Sequence, residues 1–425
     1  MIEIVNIIYL SILTPVIALL PVSYFKPKKE ISTNIGSSVL NYLFILNIIL
    51  IVSFFDIKIS TYLNFLLLIL LISFITFYKN ITINYLYLVS FFFILLFIIL
   101  IDISDQLTLY WDAQKIWLPK TILFYNEEDI RNLSELAKPN YPYFGSLYWA
   151  IFWKISYLNH EYIGRIGYVF LFLLALGNFA NSFQTGKKTK VFFYFFFLYI
   201  IYDYWHFRGT QEILIFSLIL ISAISIFNIK KKFDKFDFPN LLIFLLSINL
   251  IIWTKNEGIF FSFFLLISLL LKIYKNYRLK LYIFFFFIFF ILIRFLIFKY
   301  YNFSISLSGD FNYLFLYQDF QKNFSLNNIY FITKHIFFTS FKFISILISF
   351  LFLILLFKKK NFFSKNKDLL IVPILNMIFI YSIYLTTNKD FEHMVITSLN
   401  RVFFESSSYF LIYILIYFND LKKKL

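Results

Sequence analysis

The amino-acid sequence predicts an all-α membrane protein, a polytopic helical bundle of about 13 spans with an early external loop. Of its 425 residues 61% are hydrophobic, and its mean hydropathy is +0.78, whereas roughly half of a soluble protein is apolar. The apolar stretches reach about 20 residues, the length of a helix that crosses hydrocarbon with its backbone hydrogen bonds satisfied. The alternating segments of about ten residues that typify a transmembrane barrel do not occur in the sequence.

The predicted spans form two groups around one polar segment. The first group is 4–24, 36–55, 60–78 and 82–101, and the second is 162–182, 191–205, 210–229, 240–254, 257–274, 281–300, 334–357, 369–387 and 405–419. No small-residue cleavage pattern follows the first span, so we expect it to stay as a helix. Two domains are predicted: residues 1–81 as extra transmembrane helices, and residues 82–420 as the main transmembrane domain with an external loop at 102–160.

The net charge of +16 is explained by membrane topology. More than half of the 39 basic residues stand in short breaks between spans, and such breaks mark the cytoplasmic side. On the predicted topology they all fall on one side: 26–29, 187–190, 230–235, 272–280, 358–367 and 422–424. We therefore expect no nucleic-acid partner. Because the chain has no Cys, disulfides and thiolate metal sites are excluded as well.

The polar segment 102–144 is the first place where aqueous chemistry can occur, and we expect it outside the membrane. It is rich in carboxylates: Asp102, Asp105, Asp112, Glu127, Glu128, Asp129 and Glu135. The cluster 127–129 is interpreted as a solvated loop. The stretch 143–158, YFGSLYWAIFWKISYL, is short for a span, and counting it as one would invert every later basic cluster. It is therefore predicted to be a juxtamembrane helix on the outer surface, where Trp and Tyr are favoured.

Later polar residues collect on the same predicted outer face. They are Asp203, His206, Arg208 and Glu212, then Lys255 and Glu257, the loop 301–333, and Asp390, Glu392, His393, Asn400, Arg401 and Glu405. Carboxylates, imidazoles and isolated cations at one membrane surface are what an active site at the lipid boundary requires.

Three regions resemble bacterial GT-C glycosyltransferases, polytopic membrane enzymes related to the protein mannosyltransferase and aminoarabinose transferase superfamily. WDAQKIWLPK at 111–120, followed by KPNYPYFGSLYWAIF at 138–152, is similar to the first external loop of that family. WTKNEGIFF at 253–261 is similar to a Lys-x-Glu-Gly element at the outer end of a middle helix, and EHMVITSLNRVFFE at 392–405 to a late external segment. The resemblance covers most of the chain from about Ile99 to Glu405.

The resemblance implies a GT-C-like fold for the main domain and a function. The chain would transfer a sugar, with inversion, from a polyprenyl-phosphate donor to an extracytoplasmic glycan or lipid acceptor. It would work in the bilayer of a bacterial inner (plasma) membrane, with its active site facing the periplasm or exterior. Such transfer needs a base for the acceptor hydroxyl and cations for the leaving phosphate.

Two other functions stay open: a transporter or flippase of a lipid-linked glycan, and an O-antigen polymerase or ligase. Transporters usually carry ionisable residues and broken helices near the midplane, in repeated halves. A polymerase or ligase would have its large external loop late in the chain, whereas in this sequence that loop comes early.

Asp112 is where the resemblance places the catalytic base or a metal ligand. The alternative is that Asp112 caps a helix starting at Ala113, because Asp is a favoured N-cap residue, and the two roles are compatible. Asp102 and Asp105 end a span and are candidates to hold a divalent cation, Mg or Mn, that steadies the leaving phosphate.

Four residues are candidates for binding the donor phosphate: Arg401, Lys255, Arg208 and His393. A guanidinium such as that of Arg401 binds phosphate oxygens bidentately. Lys255 stands in an apolar run and needs a partner, either the phosphate or a carboxylate such as Glu257. Arg208 is alternatively an interface anchor, and His393 a satisfied polar group.

Candidates for substrate binding are Trp111, Trp117, Tyr141 and Glu257. The three aromatic residues adjoin the polar segment, where a sugar ring could stack on them. Aromatic residues make up 24% of the chain, and most of the others are expected to face lipid or pack in the core.

Overall fold

The computed structural model describes residues 2–19, 35–77, 83–105, 107–234, 237–273, 275–303, 316–338, 343–344, 346–347 and 367–422. Every regular element in these ranges is helical, which confirms the all-α class. Six helices are long and apolar enough to cross a membrane, and several shorter apolar helices accompany them. This combination indicates a multi-pass membrane protein. The count of about 13 spans stays a prediction.

The helices of these ranges follow one another along the chain from α1 to α17. They are α1 (Ile2–Leu19), α2 (Ile35–Ser53), α3 (Ile59–Phe77), α4 (Ile83–Asp105), α5 (Leu118–Tyr125), α6 (Phe144–Ile155), α7 (Ile166–Asn181), α8 (Lys187–Ile201), α9 (Glu212–Asn228), α10 (Phe238–Thr254), α11 (Gly258–Lys272), α12 (Tyr277–Tyr300), α13 (Leu316–Asn323), α14 (Leu326–Phe337), α15 (Lys367–Leu385), α16 (Phe391–Ser407) and α17 (Leu411–Lys422). A π-helical segment, Ala113–Trp117, precedes α5, and 3₁₀ turns occur at Ile130–Glu135, Glu161–Arg165, Tyr204–Phe207 and Ser408–Phe410.

The last span differs from its prediction at the N-terminal side. Its helix begins at Phe391 instead of residue 405, because Asp390 caps it by accepting a hydrogen bond from the His393 backbone N–H at 2.7 Å. The helix continues through the 3₁₀ turn into α17, so that residues 391–419 form one candidate span. The predicted span 334–357 lies largely outside the described residues.

Helix α6 has the predicted short length but not the predicted surface position. All residues from Phe144 to Trp153 are buried. The Tyr148 hydroxyl donates to the Gly167 carbonyl at 2.7 Å and lies 2.5 Å from the Tyr42 hydroxyl, so the helix is bonded to both α7 and α2. Gly164, in the 3₁₀ turn before α7, allows this turn to pack closely on α6. A Cβ at Gly164 would lie 2.5 Å from a backbone oxygen of α6. The prediction of an exposed interfacial helix is therefore wrong.

The basic segments within the described ranges lie at one end of the bundle, called the basic end below. The Lys272 ammonium at the end of α11 donates to the Ile226 and Phe227 carbonyls at the end of α9, at 2.5 and 2.8 Å. The Asn419 side chain in α17 donates to the Ser182 carbonyl, just after α7. The opposite end, called the site end, holds the start of α9, the end of α10 and the loop after α4.

The helices predicted as an N-terminal domain pack directly against later helices. Inside the bundle, the Asn249 amide of α10 donates to the Asn47 side-chain oxygen of α2 at 2.8 Å. Asn6 of α1 donates to the Ser156 hydroxyl beyond α6 at 2.9 Å. Interhelical hydrogen bonds of this kind hold helices together in an apolar surrounding. The boundary at residue 81 stays a prediction.

Two carboxylates join the α2–α3 turn to the turn after α5. Asp56 accepts a hydrogen bond from the Ile130 backbone N–H at 3.0 Å, and Glu127 accepts one from the Ser60 backbone N–H at 2.9 Å. The Lys154 ammonium lies 3.6 Å from Glu127, whose side chain is only 15% exposed. Glu127 is therefore a structural residue, which the interpretation of 127–129 as a solvated loop missed.

We predict that Glu127→Gln lowers the free energy of unfolding by about 1–2 kcal/mol at neutral pH, because a charge-assisted hydrogen bond becomes a neutral one. Partial burial would raise the pKa of Glu127, but the Ser60 N–H and Lys154 outweigh it and hold that pKa below its ordinary value. A carboxylate with a lowered folded-state pKa stabilises the fold above its unfolded-state pKa, about 4.3, and loses this effect as the pH falls through the folded-state value.

Thermal unfolding in detergent at a series of pH values measures this difference. The gap between wild type and Glu127→Gln should close below about pH 4. Glu128→Gln is the matched control, since Glu128 is exposed. An equal loss of stability in the control would contradict the assignment.

Candidate functional site

Asp112 lies at the site end, at the start of the π-helical segment. It occupies the N-cap position but makes no side-chain cap hydrogen bond. Its Oδ2 instead accepts a hydrogen bond from Arg401 Nη1 at 2.5 Å. These two residues come from distant parts of the sequence, and both were predicted as site residues. The capping alternative for Asp112 is not supported.

Arg401 connects Asp112 to a second, more buried set of charges. Its Nη1 lies 3.7 Å from Glu212 Oε1, and Glu212 Oε1 accepts a hydrogen bond from Lys255 Nζ at 3.1 Å. Lys255 Nζ also donates to Glu405 Oε1 at 2.6 Å. The five residues form a chain of alternating charge, called the ion chain below. It contains three carboxylates and two cations.

Exposure falls along the ion chain. The side chains of Asp112 and Arg401 are 30% and 24% exposed, whereas that of Glu405 is fully buried. Burial would lower the pKa of Lys255, but Glu212 and Glu405 raise it well above its ordinary value. The ammonium is therefore charged, and it donates to one oxygen each of Glu212 and Glu405. Its predicted role as a phosphate ligand is not supported, and the ion-pair alternative holds with partners other than Glu257.

Arg208 is a third cation at the site end, and its guanidinium contacts the Tyr110 ring that Arg401 also contacts. Its guanidinium carbon lies 4.8 Å from the Tyr110 ring centre and 4.2 Å from that of Trp205, within the range of cation–π attraction. Its Nε donates to the Thr108 carbonyl at 3.2 Å, and its carbonyl accepts from the Tyr110 N–H at 3.1 Å. These bonds fix the loop after α4 to the segment before α9. The terminal guanidinium nitrogens donate to no residue in the described ranges.

The predicted imidazole ligand does not join the ion chain. His393 is exposed and lies eight positions before Arg401 on α16, which is about 12 Å along a helix. The other imidazole of this end, His206, stacks on Phe404 with ring centres 3.9 Å apart. Burial lowers the pKa of His206 to about 3. His206 is thus neutral at physiological pH and serves packing.

The four predicted substrate-binding residues differ in exposure and in their contacts. Trp111 is 67% exposed and adjoins Asp112, so its ring is open to a ligand. Trp117 is 2% exposed and packs edge-on against Tyr141, with ring centres 5.8 Å apart, so the idea that its ring stacks on a sugar is not supported. Glu257 lies at the start of α11, and its Oε2 is buried without a hydrogen bond in the described ranges.

The predicted divalent-cation site lacks a suitable set of ligands. The Tyr202 hydroxyl donates to Asp102, so this carboxylate is bonded to the end of α8. Asp105 is exposed at the end of α4. No group of three or more His, Asp or Glu side chains in the described ranges is arranged to hold a metal ion. The divalent cation stays a prediction, and no chemical step is assigned to it.

Sequence reasoning missed the partners that complete the site. Glu212 and Glu405 were placed on the correct face without a role, although charge in an apolar run was the available signal. Tyr110 and Trp205 were not singled out. Each belongs to a polar stretch, DYWHFRGTQE at 203–212 or the segment before Asp112, that already contained a predicted residue.

Lys120 anchors the Pro-containing loop that leads into α6. It is completely buried, and its Nζ donates to the Lys138 and Tyr141 carbonyls at 2.9 and 2.7 Å. No carboxylate lies within ion-pair distance of it in the described ranges. Burial lowers the pKa of Lys120 to about 7, and the positive charge of Arg294 contributes in the same direction. Lys120 thus holds the segment that follows Asp112 against the rest of the loop.

Comparisons with models of protein families, with curated proteins and with solved structures found no match to this chain. The described helices and the ion chain therefore define it by class alone, as a multi-pass helical membrane protein with a charged site at one end of its bundle.

We predict that Lys255→Met lowers the free energy of unfolding by about 3–5 kcal/mol, because it leaves buried Glu405 without its cation and Glu212 with Arg401 alone, 3.7 Å away. Adding Glu405→Gln to this variant should restore part of the loss. Thermal unfolding in detergent measures both effects, with Lys188→Met, at an exposed position, as the control. A loss no larger than that of the control would contradict the burial of the ion pair.

Lys120 should make stability rise with pH, in the same direction as Glu127, because the folded-state pKa is lowered in both cases. The unfolded-state pKa of Lys is about 10.4, so between pH 7 and 10 the unfolded chain binds more protons at this position than the folded one. The free energy of unfolding should rise with pH in this window, by at most about 1.4 kcal/mol per pH unit. Lys120→Met should lose this rise, and Lys115→Met, at an exposed position, should keep it. Equal slopes in wild type and Lys120→Met would refute the assignment.

Proposed function

We propose that this protein is a membrane glycosyltransferase that moves a sugar, with inversion, from a polyprenyl-phosphate donor to a glycan or lipid acceptor. The observation that carries the proposal is the contact between Asp112 and Arg401. A candidate base and a candidate phosphate ligand, separated by 289 residues, lie 2.5 Å apart at the more exposed end of the ion chain. The resemblance of the three sequence regions to GT-C enzymes supports the same function.

In the proposed reaction Asp112 takes the proton of the acceptor hydroxyl. The acceptor oxygen forms a bond to the anomeric carbon while the bond from that carbon to the phosphate oxygen breaks on the opposite face. The electron pair leaves with the phosphate, whose charge a guanidinium neutralises by paired hydrogen bonds. Arg401 and Arg208 are the cations available for this, and the exposed ring of Trp111 offers a stacking surface for the sugar.

We propose further that the site end faces the periplasm or exterior of a bacterial inner membrane. The grouping of basic segments at the opposite end of the bundle supports this orientation, because such segments stay on the cytoplasmic side. A carrier-linked sugar and an extracytoplasmic acceptor would both reach Asp112 from that side.

A transporter of a lipid-linked glycan is the second candidate. It is favoured by the buried pair of Lys255 and Glu405, because paired ionisable residues within a helical bundle are common in transporters. Reconstitution in vesicles separates the two candidates. The glycosyltransferase forms a new glycosidic bond on one side of the membrane, whereas the transporter moves an unchanged lipid-linked glycan across it.

We predict that Asp112→Asn reduces sugar transfer at least about 100-fold, because the amide cannot accept the proton of the hydroxyl. The variant should insert and fold normally, since the Asp112 side chain is 30% exposed and its main contact is one arginine. Transfer is measured with purified protein and a panel of polyprenyl-phosphate sugars. Asp105→Asn removes an equal charge nearby and should keep its activity. Retained transfer in Asp112→Asn would remove the mechanism.

A further inference from the structure

The proposed reaction needs both Asp112 and Arg401, and in the structure these two side chains are bonded to each other. Asp112 must be free to accept a proton, and Arg401 must be free to bind phosphate. The two side chains instead bond to each other at 2.5 Å. That bond occupies Asp112 Oδ2 and Arg401 Nη1. The contact must therefore open before Asp112 and Arg401 can act through these two atoms. This inference rests on the proposed function.

Arg401 has a second partner that keeps it at the site when the first contact opens. Its Nη1 lies 3.7 Å from Glu212 Oε1, and Glu212 is fixed by the Lys255 ammonium at 3.1 Å. Glu212 and Lys255 are buried, with side chains 5% and 10% exposed. Movement at this point is thus expected on the exposed side of Arg401, toward Asp112 and solvent. The buried side of the ion chain stays in place.

A ligand phosphate has an anchor within reach of Arg401. The guanidinium carbons of Arg208 and Arg401 lie 4.8 and 5.9 Å from the same Tyr110 ring centre. Arg208 packs on the Tyr110 and Trp205 rings, whose centres are 5.4 Å apart, and donates to a backbone carbonyl, so its guanidinium is oriented before any ligand arrives. Its terminal nitrogens donate to no described residue. Because both guanidinium groups contact the same ring, a phosphate bound at Arg208 would lie near Arg401.

We propose that the donor phosphate competes with Asp112 for Arg401, so that the base becomes free only when the donor is bound. Arg208 is the stationary phosphate ligand and Arg401 the one that changes partner. Tyr110 is a positioning residue, because both guanidinium groups contact its ring. The donor then binds before the acceptor hydroxyl is activated, and Asp112 stays masked while the site is empty.

Binding of polyprenyl phosphate to the purified protein in nanodiscs tests the competition without any transfer. If Asp112 competes with phosphate, Asp112→Asn should bind polyprenyl phosphate about tenfold more tightly than wild type, since one charge-assisted hydrogen bond no longer has to be broken. Asp105→Asn is the control for a general loss of negative charge and should change affinity less than about twofold. Equal affinity in wild type and Asp112→Asn would overturn the proposal.

A double-mutant cycle separates competition from simple electrostatic repulsion. In an Arg401→Gln background the further change Asp112→Asn should leave affinity unchanged, because the contested partner is missing. A gain of the same size in that background would mean that Asp112 only repels the phosphate, and would overturn the proposal. Polyprenol, which lacks the phosphate, should bind wild type and Asp112→Asn alike, and tighter binding of polyprenol to the variant would overturn it too.

The inference and the proposed function can fail separately. If wild type transfers sugar but Asp112→Asn binds polyprenyl phosphate no more tightly, the competition is wrong and the glycosyltransferase assignment stands. If no donor in the panel yields transfer while the binding gain and the cycle are as expected, the competition stands and the assigned reaction is wrong.

Discussion

The burial of one ammonium group among apolar helices constrains the site end of this protein. Lys255 directly follows α10 in a buried position, where a charge without a partner would be strongly unfavourable. Its ammonium group forms ion pairs with Glu212 of α9 and Glu405 of α16. Three helices that are separate in sequence must therefore meet at one point. Buried ion pairs of this kind add little net stability, but losing one member is costly, so the arrangement of these helices is specified.

The position of the exposed pair, Asp112 and Arg401, follows from this arrangement of helices. Because Glu212 is held by Lys255, Arg401 meets a fixed carboxylate on its buried side and can meet Asp112 on its exposed side. Charge alternates along the ion chain while exposure rises from Glu405 to Asp112. The buried residues thus set positions, and the exposed pair is where a ligand can exchange contacts.

The loop that carries Asp112 is held at both ends by bonds to backbone groups. Before Asp112, the Tyr110 backbone N–H donates to the Arg208 carbonyl, and the Arg208 guanidinium packs on the Tyr110 ring. After it, Lys120 bonds to two carbonyls of the loop that enters α6, and Glu127 bonds to the start of α3. A surface loop is ordinarily the mobile part of a protein. In this protein both flanks of Asp112 are bonded, so the proposed change of partner would move side chains and leave the backbone in place.

The sequence by itself determined the helical membrane class and several polar residues that the fold brings to the site end, including Asp112, Arg208 and Arg401, because apolar length and isolated charge are local properties of a chain. It could not identify the partners of Lys255, which lie 43 and 150 residues away. Nor could it show that α6 is buried, since a short aromatic helix suits an interface and a core equally well. Only the packing of the helices determines which carboxylate reaches which cation, and this packing joins charges that are far apart in the sequence into one connected site.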